Sequence, residues 1–171
     1  MQNVSNFNDV NDYLYILNGV IITDLVIIAL CLGGAIPSKV LRQWYKDYTL
    51  SAVIADVLII VIGIIIARFL YSIIFSKYSL FKFLLLVVLI QITHDLLFYY
   101  FVTSVPRGWS RILDTFKNYG KESGFKAILS DSLMMISSVL IACYLKSLSL
   151  NTNIIILISV IYLIPYLIFS V

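Results

Sequence analysis

The chain has 171 residues, of which 61% are hydrophobic and only 12% charged, with a net charge of +3. Soluble domains carry about a quarter charged residues, so this composition does not supply the polar cover that a water-exposed surface requires. It excludes a disordered, fibrous or disulfide-stapled protein, leaves no room for a soluble catalytic domain beside the apolar segments, and points to a multispanning membrane protein.

The first residues, Met1-Gln-Asn-Val-Ser-Asn-Phe-Asn-Asp, are polar and acidic. They lack a basic n-region and a small-residue cleavage site, so no cleaved signal peptide is expected, and residues 1–16 read as a polar tail. Five apolar segments follow, at about residues 17–36, 48–74, 80–102, 127–148 and 153–171. Each approaches or exceeds the roughly 20 residues a helical span needs. None alternates as a membrane strand does, and unpaired backbone is too costly in lipid for any other open structure. The expected fold is all-α: a polytopic transmembrane bundle of five spans forming a single membrane domain, with one interfacial amphipathic helix. Cys31 and Cys143 lie inside apolar stretches with no CxxC spacing and read as small buried hydrophobes.

Lysine and arginine counts near the span ends set the orientation. Lys39, Arg42, Lys46, Arg107, Arg111, Lys117, Lys121 and Lys126 fall in the loops opposite the N-terminus, whereas only Lys77, Lys82 and Lys146 fall on the N-terminal side. The N-terminus is therefore expected to be extracytosolic and the C-terminus cytosolic. The sequon Asn3-Val-Ser5 would then lie on the side where glycosylation is permitted, a weak signal for so short a motif.

Residues 106–126 form the one substantial connection. Trp109, Ile112, Leu113 and Phe116 recur at helical spacing opposite Arg107, Arg111, Asp114 and Lys117. Pro106 suits a first helical turn and Gly120 a stop. The segment reads as an amphipathic helix on the membrane surface, with Arg107, Trp109, Arg111, Lys117 and Lys121 meeting anionic lipid or a partner. In the last segment, Pro165 between Tyr162 and Tyr166 marks a kink with interfacial anchors.

Ionisable groups inside a span face the bundle interior and mark its functional places. The first four spans each carry an aspartate: Asp24, Asp56, Asp95 and Asp131. Asp56, Asp95 and Asp131 fall at similar depth on the cytosolic half, and Gln91, His94 and Tyr99 lie on or beside the face of the third span that carries Asp95. The small-residue stripe Ala52, Asp56, Gly63 and Ala67 allows close helix approach, and Ala127, Asp131, Met134, Ser138 and Ala142 form the matching stripe on the fourth span. These faces are expected to converge on one polar cluster, which would serve as a register-fixing network, a proton or cation site, or, least favoured, a metal site. On the outer half, Asp24 and Arg68 are expected to form an ion pair. No nucleotide-binding, hydrolase or kinase motif occurs, no cofactor or metal site is indicated, and nothing supports nucleic-acid binding.

The segments Gln91-Ile-Thr-His-Asp-Leu-Leu-Phe-Tyr-Tyr, Pro106-Arg-Gly, Asp114-Thr-Phe-Lys-Asn-Tyr and Ala127-Ile-Leu-Ser-Asp-Ser resemble small multipass membrane proteins of nucleocytoplasmic large DNA viruses of the mimivirus and phycodnavirus type. The likeness spans roughly residues 40–170. It implies a virus-associated membrane, either a host endomembrane or the internal membrane of the virion, and carries no catalytic residues across. The favoured expectation is a non-enzymatic viral membrane protein that organises or anchors components, with the lipid bilayer, a second copy of the chain, and capsid or other viral membrane proteins as partners. The alternative is a small oligomeric channel or a proton-coupled transporter built on the Asp/His cluster.

Overall fold

A computed structural model describes residues 2–170. In chain order they form α1 (Asp12–Leu32), α2 (Lys39–Tyr48), α3 (Leu50–Ile74), α4 (Leu80–Ser104), α5 (Arg111–Ser123), α6 (Phe125–Leu145) and α7 (Leu150–Ile168), with no strand among the described residues. Five of these, α1, α3, α4, α6 and α7, are long and apolar enough to cross a membrane. Their outward faces carry exposed residues such as Ile54, Leu58, Ile62, Phe69, Leu97 and Ile158, an apolar surface suited to lipid.

The centre of the bundle is α1, packed against α6, α7 and α3. Its closest approach is set by Gly19: a β-carbon there would stand 2.5 Å from the Ser138 carbonyl oxygen and 3.0 Å from the Ala142 amide nitrogen of α6. The small-residue stripe of α3 is buried as its sequence predicts, with Ala52, Gly63 and Ala67 inside and Met135 of α6 seated over Gly63. Cys31 and Cys143 are buried free thiols.

The helix limits differ from the sequence expectation in ways that matter. The second apolar segment does not begin at Tyr48. A separate amphipathic helix, α2, ends there, and Thr49 turns the chain into α3 with φ 48° and ψ −122°. Gly124 repeats the same backbone between α5 and α6, at φ 51° and ψ −130°. Each of the two amphipathic helices thus folds directly back into a span. α5 also starts later than Pro106, at Arg111, because the Ser110 hydroxyl accepts from the Leu113 amide and supplies the cap. It runs through Gly120 to Ser123 because Gly120 is needed for contact: a β-carbon there would stand 3.0 Å from the Tyr99 ring.

At the end of the bundle that holds the N-terminus, the tail is tied down by charge. Arg68, fully buried on α3, donates to the carbonyls of Asn6 and Asp9 (2.8 Å to the latter), and its Nη2 lies 3.3 Å from Asp12 Oδ2. Its guanidinium carbon lies 4.7 Å from the centre of the Tyr13 ring. Lys146 closes the group, 2.5 Å from Asp12 Oδ1 and 3.0 Å from Asp9 Oδ2, and donates to the Asn3 carbonyl.

Candidate functional site

The two amphipathic helices build a roof across the opposite end. α2 presents Val40, Leu41, Trp44 and Tyr45 inward while Lys39, Gln43, Lys46 and Asp47 stay exposed or partly so, the periodicity of a half-buried helix. Its N-terminus is capped twice. The Ser38 hydroxyl accepts from Leu41 N, and the Glu122 carboxylate of α5 accepts from Lys39 N (2.9 Å) and Val40 N (3.2 Å), where a negative charge suits the helix dipole. Aromatic rings join the roof to the wall: Trp44 meets Phe116 at 4.9 Å and Phe116 meets Phe98 of α4 at 5.1 Å, edge-on. Tyr48 and Thr115 hydroxyls share a hydrogen bond at 3.2 Å.

Beneath this roof lies a cavity of about 610 Å³, walled mainly by α3, α4 and α6. Asp56, Asp95 and Asp131 all line it, with Gln91, His94 and Tyr99. At 1.5 Å per residue, Asp56 and Asp131 lie roughly 9 Å and Asp95 roughly 13 Å from the roofed ends of their helices, so three separate spans deliver carboxylates to one level. Asp56 Oδ2 accepts from the Trp44 indole at 3.0 Å. Asp95 Oδ1 accepts from the Gln91 amide at 2.7 Å and lies 3.2 Å from His94 Nδ1, whose ring stacks on Phe98. The other oxygen, Asp95 Oδ2, is buried without a partner. Asp131 makes no hydrogen bond among the described residues, and no lysine or arginine lines the cavity.

The roof tyrosines register this concentration of negative charge. Burial pushes the Tyr119 phenol up to about 12, and the charges of Asp131, Asp56 and Asp95 push in the same direction. Burial likewise raises Tyr45 well above its ordinary range, assisted by Asp56 and Asp24. Both effects follow from the cost of a phenolate placed beside carboxylates in a poorly solvated site.

The sequence-predicted cluster is therefore brought together, with two corrections to the other predicted sites. Asp24 and Arg68 do not pair. α1 begins at Asp12 rather than near Leu17, which places Asp24 beyond its midpoint and roughly 12 Å from the roofed end, whereas Arg68 lies roughly 9 Å from the opposite end of α3. Arg68 pairs with Asp12, and both Asp24 oxygens are buried without a partner. In the turn before α5 and on α5 itself, Arg107, Trp109, Arg111 and Lys121 are exposed as expected, but Lys117 is not a surface residue. Its ammonium turns back to the Val105 carbonyl at 2.5 Å and to Asp114 at 3.4 Å, and is buried there. Tyr99 lines the cavity and is 53% exposed, with one edge of its ring close to Gly120.

Sequence reasoning missed the roof's contribution: Trp44 and Tyr45 on α2, and Tyr119 and Glu122 on α5. The signal for α2 was present in the spacing of Val40, Leu41, Trp44, Tyr45 and Tyr48 after Ser38, but the capping by Glu122 joins residues 83 apart and has no local signature. Among the described residues no three His, Cys, Asp or Glu side chains stand close enough to hold a metal ion. No family model, curated protein or solved structure matches the chain.

Proposed function

We propose that the protein is a non-enzymatic, proton-coupled cation transporter of a multispanning type, with the N-terminus extracytosolic and the roofed cavity facing the cytosol. The observation that carries this reading is the convergence of Asp56, Asp95 and Asp131 on a cavity whose wall holds no lysine or arginine. Carboxylates held together at membrane depth are stabilised by a cation or a proton. The charge asymmetry of the loops supports the orientation. The segments that carry the viral likeness contribute Gln91, His94, Asp95, Phe116, Tyr119 and Asp131 to the cavity, and on that likeness we assign the protein to a virus-associated membrane.

The test is flux in reconstituted vesicles carrying an internal pH dye. Outward gradients of sodium, potassium and organic ammonium ions are imposed in turn. At least one gradient is expected to shift the internal pH, and D56N and D131N, while still folded, are expected to abolish the shift. An unchanged flux in both variants, or none with any cation, refutes the proposal.

A second reading, surface anchoring, has its own support. Trp109 is 81% exposed and stands beside exposed Arg107 and Arg111, a combination suited to an anionic lipid interface. Charge reversal at Arg111 and Lys121 tests it, by loss of binding to vesicles containing phosphatidylserine.

A further inference from the structure

The cavity is far larger than an inorganic ion requires. Its volume of about 610 Å³ falls within the roughly 300–1,000 Å³ of sites that enclose small organic molecules. Its wall is mostly apolar, and apart from the His94 imidazole its ionisable groups are acidic, three aspartates and the tyrosines. Trp44, Phe98, Phe116 and Tyr119 lie around the carboxylate level, and aromatic faces attract organic cations through the ring quadrupole. By contrast, the acidic groups do not close into a metal-holding set among the described residues.

Two carboxylates that line the cavity mark where the charge would sit. Asp95 has one oxygen engaged by Gln91 and His94, while Oδ2 is buried and unpartnered. Asp131 lines the same space and has no hydrogen bond among the described residues. The absence of lysine and arginine from the wall also bears on the source of the ammonium. A choline or ethanolamine lipid headgroup brings a phosphate, which would find no cation there. A free amine has no such requirement.

We propose that the cavity binds a hydrophobic organic ammonium ion, its charged nitrogen between Asp95 and Asp131 and its apolar body among the aromatic rings of Trp44, Phe98 and Phe116. This rests on the reading of the protein as a cation transporter and narrows the class of its substrate. The nitrogen gains carboxylate and ring-face contacts together, while the body fills volume that a bare ion would leave unused.

The chain has two tryptophans, so W109F leaves Trp44 as a single reporter in the cavity. The full-length W109F protein in a maltoside detergent is titrated with benzyltriethylammonium and followed by tryptophan emission. A saturable change is expected, weakened at least about tenfold by D95N or D131N, and absent with the neutral carbon isostere of the probe. Because Asp131 makes no hydrogen bond among the described residues, D131N is the variant expected to keep its fold, checked by helical circular dichroism and monodisperse elution. It carries the test alone should D95N misfold. Equal binding of the neutral isostere overturns the proposal, as does equal competition by dihexanoylphosphatidylcholine, which would mark a lipid site. If sodium or potassium moves the vesicle pH through Asp56 and Asp131 while benzyltriethylammonium gives no saturable change, this proposal falls and cation transport stands. If no cation acts in either assay, both fall.

Discussion

Replacing Arg68 with methionine separates the two accounts of where this bundle keeps its buried charge. Arg68 is fully buried, and its Nη2 serves three oxygens: the carbonyls of Asn6 and Asp9 and the carboxylate of Asp12. Methionine keeps much of the apolar stem and removes all three contacts. Removing one partner of a buried pair costs about 3–5 kcal/mol, because the other charge stays behind without compensation. Here Lys146 remains 2.5 Å from Asp12, so the lower end, about 3 kcal/mol, is expected. Asp24→Asn breaks no hydrogen bond or ion pair among the described residues and is expected to change stability by less than about 1 kcal/mol, the range of substitutions that break no such interaction.

The assay is unfolding by increasing mole fraction of dodecyl sulfate in maltoside micelles, followed by far-ultraviolet circular dichroism. A double-mutant cycle between Arg68 and Asp12 is expected to give a coupling of at least about 1 kcal/mol, whereas Arg68 and Asp24 are expected to be additive within roughly 0.5 kcal/mol. Strong coupling between Arg68 and Asp24, with none to Asp12, would refute the reasoning and restore the pairing suggested by sequence depth.

Gly19→Ala is expected to destabilise by about 2–3 kcal/mol, since its β-carbon meets the backbone of α6 at 2.5 and 3.0 Å. Gly63→Ala should cost less than half as much in the same unfolding assay, because it meets the mobile Met135 methyl group at 2.9 Å. Thr49→Gly is expected to stabilise by roughly 1 kcal/mol, as a β-branched residue held at φ 48° stores strain that exceeds the entropic cost of glycine. Docking of the N-terminal tail should be lost at both pH extremes, as read by proteolysis within residues 2–11. The Lys146 hydrogen bond holds Asp9 below the usual carboxylate range, so its stabilisation is complete above the unfolded value and disappears as pH falls below about 4. Burial lowers Lys146, but the hydrogen bonds it donates to Asp12 and Asp9 outweigh this and hold the ammonium above its ordinary range. That contribution is complete below the unfolded value and is lost as pH rises above about 10.

The spans and the acidic cluster were legible in the sequence because both rest on local periodicity. Apolar runs of 19–25 residues announce helices whatever their neighbours, and Asp56, Asp95 and Asp131 each fall on the face that small or polar residues mark for burial. Depth was the weaker inference. Placing Asp24 on the outer half required the helix start, and Asp12 and Tyr13 made α1's first turn look like tail. Those residues are helical because Arg68 and Lys146 satisfy them, as the Asn153 carbonyl satisfies Asn18 farther along at 2.9 Å. Such partners lie more than 50 residues away, beyond any local pattern. The roof was hidden for the same reason. The spacing of α2 was readable, but its seat over α5 depends on Glu122 and on the Trp44–Phe116 contact, both long-range.

The two ends of the bundle solve the problem of buried charge in opposite ways. At the N-terminal end Asp9 and Asp12 face Arg68 and Lys146, equal numbers of each sign, and the group behaves as a clasp that holds the tail. At the roofed end three carboxylates and an imidazole share a cavity without lysine or arginine, and the donors present, Trp44 and Gln91, are neutral. A ligand that binds only the folded state stabilises it by mass action, so a cation in this cavity would supply at the roofed end what arginine and lysine supply at the other. The clasp is complete within the chain, and the cavity reaches the same balance only through what it binds.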